Sequence, residues 1–62
     1  MNNIELLTVD EVAALLRISR DSTYQLVRSG AIRSFRVGRL IRLEKVDVLA
    51  FMERQHELSS TH

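Results

Sequence analysis

The sequence predicts a small α+β domain: two short helices, a β-hairpin, then a third helix. Three observations carry that prediction. Thr8 and Ser19 each stand before a helical stretch as a capping residue. Residues 32–43 alternate with a period of two around Gly38. Residues 44–55 return to helical spacing. A chain of 62 residues holds one domain, here 1–62. A domain that size buries only about 60% of the surface its unfolded chain exposes, so we expect modest stability. The ordered core is expected over about 6–55, with a flexible tail over 56–62.

Residues 1–7 read as a short lead-in. Thr8-Val9-Asp10-Glu11 is a capping box, in which the Thr8 side chain accepts from the Glu11 backbone and Glu11 reaches back. Leu7 and Val12 are placed to close a hydrophobic staple across it. The first helix then runs from Val9 to about Leu16, with Val12, Leu15 and Leu16 on its inner face. Ala13 and Ala14 are small enough to admit a close neighbour. Arg17-Ile18 is a break, and Arg17 can pair with Asp21. Ser19 caps the second helix, and Asp21 in its first turn suits the dipole. This helix continues through Arg28 and stops at Gly30, a favourable residue just past a helix end. Thr23, Leu26 and Val27 face inward, Arg20, Asp21, Gln25 and Arg28 outward, and Tyr24 lies at the margin. Two helices so closely joined have the spacing of a helix-turn-helix.

For the hairpin, keeping apolar and charged faces separate selects a three-residue loop, Gly38-Arg39-Leu40. Val37 then opposes Ile41, Arg36 opposes Arg42, and Phe35 opposes Leu43. Two arginines face to face repel, which an anion between them would relieve. The third helix is expected from about Glu44 to Gln55, with Glu44 and Asp47 in its first turn and Val48, Phe51 and Met52 in the core.

Charge is distributed unevenly along the chain. Residues 17–42 hold seven arginines against one acid, Asp21. The flanks hold Lys45 and Arg54 against seven acids, although the whole chain is only +1. Arginine outnumbers lysine eight to one, and its planar fork suits phosphates and guanine edges. There is no cysteine, which removes disulfides and thiolate metal sites and fits a reducing compartment. No apolar run nears the roughly 18 residues of a membrane span, so a cytoplasmic location is expected. His56 and His62 lack partners at ligand spacing, and no nucleophile–base pair is evident. Neither a cofactor, a metal nor an enzymatic activity is expected.

A hairpin beside the second helix is a wing, which makes the whole a winged helix-turn-helix. Such a helix fits the major groove, and an arginine-bearing wing tip suits the narrow minor groove beside it. The ordered motifs are Leu7-Thr8, Glu11-Val12-Ala13-Ala14-Leu15-Leu16, Ile18-Ser19-Arg20 with Tyr24, Gly30, Arg36-Val37-Gly38-Arg39, Ile41-Arg42-Leu43, and Asp47-Val48 with Phe51-Met52. As a set they resemble the excisionase-type family of small winged helix-turn-helix proteins, related to the DNA-binding domains of MerR regulators. The resemblance covers residues 7–52. Ile41 stands where an aromatic is common, and Thr23 where a larger aliphatic is common. What the resemblance implies is duplex DNA binding without catalysis. Small members bind and bend attachment-site DNA and help an integrase excise, often with neighbouring copies on adjacent sites. Others are small transcription regulators of mobile elements. A protein-binding module with a basic docking face is a further alternative.

On this reading Arg20 and Gln25 contact guanine and adenine edges. Asp21 accepts from cytosine or orients Arg20, or is a plain dipole residue. Ser19 and Tyr24 reach phosphate, or serve as a cap and a core edge respectively. Arg28 contacts phosphate or partners the helix C-terminus. Arg39 enters deepest from the wing, with Arg36 and Arg42 on phosphates. Arg33 falls outside this set. Leu40 is an apolar wedge at the tip, a contact with a neighbouring copy, or simply exposed.

Overall fold

The computed structural model describes residues 4–59. Its elements are β1 (Leu6–Leu7), α1 (Val9–Leu16), α2 (Arg20–Arg28), β2 (Phe35–Val37), β3 (Leu40–Glu44) and α3 (Lys45–Ser59). The α+β winged helix-turn-helix expectation holds. The lead-in is more structured than its sequence suggests. Leu6 and Leu7 form a strand paired antiparallel with Glu44 and Leu43, so the sheet has three strands in the order β1-β3-β2.

Both helices of the turn are closed by their own sequence. The capping box at Thr8 is complete: the Thr8 N–H donates to Glu11 Oε1 at 2.8 Å, and the Glu11 N–H donates to Thr8 Oγ1 at 3.0 Å. Ser19 Oγ accepts from the Ser22 N–H at 3.0 Å, capping α2. At the far end of α2 the Gly30 N–H donates to Val27 O and the Ala31 N–H to Leu26 O, at 3.2 and 3.0 Å. That paired closure is a Schellman motif, with Gly30 at φ +80° as the left-handed residue. The same pattern ends α1, where the N–H groups of Arg17 and Ile18 donate to Ala14 O and Ala13 O. Here the left-handed position, φ 59°, is taken by Arg17. Its Cβ costs about 1 kcal/mol relative to glycine. Arg17→Gly should therefore raise the melting temperature by about 4–8 °C, measured by thermal denaturation. Among the described residues Arg17 forms no ion pair with Asp21.

The core gathers Val9 and Val12 of α1, Ile32 from the loop after α2, Leu43 of β3 and Val48 of α3. Leu7, Tyr24, Ile41 and Phe51 pack around it. Thr23 is fully buried, and its hydroxyl donates to Ser19 O at 3.0 Å. A larger aliphatic there would lose this bond, which ties the start of α2 to the core. Leu15, expected inside, is exposed: the inward stripe is Val9, Val12, Ala13 and Leu16, and Leu15 points about 100° away from Leu16 around the helix. Met52 also lies at the surface. Glu44 is the last residue of β3 rather than part of α3, because its backbone pairs with Leu6. From there α3 runs to Ser59, past the expected end at Gln55. His56 is in its last turn, while His62 lies outside the described residues.

The hairpin register differs from the sequence reading. Phe35 pairs with Arg42, Arg36 with Ile41 and Val37 with Leu40, leaving a two-residue loop, Gly38-Arg39. Gly38 has φ +64° and Arg39 does not share the positive φ, the pattern of a type II′ turn, whose twist matches that of the strands. Arg36 and Arg42 therefore do not oppose each other, and the repulsion expected between them is absent. Leu40 belongs to a strand, not to the tip. The face-purity rule failed because this wing has a solvated outer face that tolerates apolar residues: Phe35, Val37 and Leu40 are all exposed there.

Candidate nucleic-acid interface

Partners across an antiparallel pair share one face of the sheet. The register thus sorts the wing's arginines by side. Arg36 shares the inner face with Ile41, which packs toward the core and α2, while Arg42 is across from Phe35 on the other face. Arg39 stands in the turn itself.

Two open grooves run between α2 and the wing. One, of about 380 Å³, is lined by Asp10, Arg20, Tyr24, Arg39 and Arg42, among others. The other, of about 440 Å³, is lined by Tyr24, Val27, Arg28, Ser34, Phe35 and Arg36, with Ile41 at its base. Tyr24 lines both grooves, half-buried at the junction. The fold therefore brings together Arg20, Tyr24 and Arg28 of α2 with Arg36, Arg39 and Arg42 of the wing. Asp21 and Gln25 are exposed on α2 and line neither groove. Ser19 Oγ is engaged in the cap and with Ser22 Oγ at 2.9 Å. Arg33 is exposed in the loop before β2.

The arginines on this surface carry few internal obligations. Arg42 Nη1 donates to Ile41 O at 3.0 Å, which holds its stem along the strand. Arg20 is the most constrained. Its Nε lies 3.3 Å from Asp10 Oδ1, and its guanidinium carbon stands 5.7 Å over the Tyr24 ring. A hydrogen bond with Tyr24 first, then the charge of Asp10, raise its pKa above the ordinary arginine value. Asp10 was missed as a neighbour of this surface. In sequence it is fully explained as a first-turn dipole residue of α1, and only the crossing of α1 and α2 brings it to Arg20. Among the described residues no cluster of His, Cys, Asp or Glu is arranged to hold a metal. No helix among them is long and apolar enough to cross a membrane.

A family model described as a helix-turn-helix domain matches residues 6–56. The chain belongs to that family. Membership makes it a DNA-binding protein. A Saccharopolyspora erythraea protein named "Probable excisionase" is 48% identical over 46 residues, covering 74% of this chain and 47% of the relative. A Mycobacterium tuberculosis protein named "Putative DNA-binding protein Rv0500A" is 42% identical over 52 residues, 84% of this chain and 67% of the relative. The Bacillus subtilis protein YvgK is 38% identical over 48 residues, which are 77% of this chain but 16% of that protein. The chain thus spans from about a sixth to two thirds of these relatives. No solved structure matches it.

Proposed function

We propose that this protein binds duplex DNA sequence-specifically, with α2 in the major groove and the Gly38-Arg39 turn in the adjacent minor groove. We read it as a non-catalytic recombination directionality factor, which bends attachment-site DNA for an integrase. The observation that carries the binding mode is that six residues, Arg20, Tyr24, Arg28, Arg36, Arg39 and Arg42, line the two grooves flanking Tyr24. Guanidinium groups spaced along such a surface suit phosphates, and one at a turn can follow a narrow minor groove. The similarity to the probable excisionase favours the role in excision. On this reading Gln25 and Asp21, exposed beyond the grooves, contact base edges, and Ser19 reaches a phosphate only by exchanging its bond to Ser22 Oγ.

Two measurements test this reading. Binding to duplex DNA should weaken with salt, with a log–log slope of about −0.9 for each phosphate contacted; a flat dependence contradicts it. Gel mobility on circularly permuted sites should show a bend, whereas an unbent single-site complex favours a small transcription regulator. Gln25→Ala should shift sequence preference more than overall affinity. Equal loss on all sequences, measured by competition with random DNA, reassigns Gln25 to the phosphates.

A further inference from the structure

We propose that Asp10 is the positioning residue for Arg20: its carboxylate orients the guanidinium over Tyr24 and thereby sets a preference for guanine at one base pair. This rests on the DNA-binding reading above and assigns a role to a residue outside the expected site. Asp10 Oδ1 engages Arg20 Nε at 3.3 Å. Asp10 thus takes the Nε side of the fork and Tyr24 also hydrogen-bonds the guanidinium, so the two hold it from the protein side and Asp10 does not occupy Nη1 or Nη2. That terminal pair matches the two acceptors O6 and N7 that guanine presents in the major groove. The Tyr24 ring, with its centroid 5.7 Å from the guanidinium carbon, gives the cation a second neighbour on the protein side.

A stabilising role does not account for the pair. Its side chains are 62% and 68% exposed, and such surface pairs contribute little to folding. Asp10 also suits the N-terminal dipole of α1, but that role asks for no contact with Arg20, and Thr8 and Glu11 already close the capping box. On a surface that meets phosphates a carboxylate lowers affinity for any DNA. Its presence beside Arg20 makes physical sense if it trades general affinity for orientation. An unrestrained arginine has enough rotamers to settle on any nearby phosphate; a held one is restricted to the base edge.

The test is selection from a randomised duplex pool, followed by sequencing, with the wild-type protein, Asp10→Asn, Arg20→Lys, Arg20→Ala and the double variant Asp10→Asn/Arg20→Ala. The wild type should prefer guanine at one position. Asp10→Asn should lower that preference by about 3- to 10-fold at that position alone, while binding unselected DNA more tightly. Arg20→Lys keeps the charge but loses the fork, so the preference should vanish at that position, with any change in affinity the same for all unselected sequences. In the Arg20→Ala background Asp10→Asn should change the preference no further. Melting temperatures of the variants separate orientation from unfolding. Full guanine preference in Asp10→Asn overturns the proposal. So does a loss spread over all positions, or one that persists without Arg20. If the wild type selects no sequence at all, the binding reading fails with it.

Discussion

Leu43→Ala should remove about 2–5 kcal/mol of stability. The whole chain of 62 residues holds only roughly 3–9 kcal/mol. Leu43 is fully buried in the central strand, paired with Leu7 on one side and packed against α1 and α3 residues in the same core. Truncation leaves a cavity at the point where every layer meets. In a urea titration the midpoint should fall by about a fifth or more, with no change in slope. Val37→Ala is the matched control. With the two-residue turn, Val37 pairs with Leu40 on the solvated face, and its truncation should change stability by less than about 0.5 kcal/mol. With a three-residue loop Val37 would share the core face of Ile41, and the loss would be several times larger. The pair of variants therefore tests the register as well as the core.

Arg39→Ala should weaken duplex binding about tenfold or more, through loss of a charge-assisted contact at the wing tip. Arg39 sits in an exposed turn outside the hydrophobic core, so melting should be unchanged. The salt slope should become shallower by about 0.9 if a phosphate contact is lost. Fluorescence anisotropy at two salt concentrations reads both quantities. Unchanged affinity would remove the wing from the interface.

Much of the fold was legible because it is written in local chemistry. The capping box at Thr8, the Ser19 cap and the stop at Gly30 are short-range signals that need no tertiary context, and all three are found as read. The strand at Leu6–Leu7 was not legible, since two residues carry no periodicity; it exists because β3 offers an open edge beside it. Arg17 in a left-handed conformation was hidden for a similar reason. Nothing in an arginine announces a helix end that glycine would announce. The hairpin register was misjudged because separating apolar from charged residues assumed that the outer face would be polar. Gly38 decided otherwise, by supplying the positive φ that a two-residue turn needs.

For the site, the sequence showed which arginines are available but not how they divide. The register sends Arg36 toward α2 and the groove beside Arg28, and the tip groove gathers Arg20, Arg39 and Arg42. The acid that approaches Arg20 comes from α1, ten residues upstream, rather than from its neighbour Asp21. Sequence spacing could not show that, because the contact depends on how two helices cross.

The central claim is that α2 and the wing form one DNA-binding surface around Tyr24. Its most direct test is a titration of isotopically labelled protein with the selected duplex, followed by NMR chemical shifts. The shifts should concentrate on Arg20, Tyr24, Gln25, Arg28, Arg36, Arg39 and Arg42, and leave the outer residues of α3, such as Val46 and Leu49, in place. Shifts centred on α3, with the α2 and wing resonances unmoved, would contradict it.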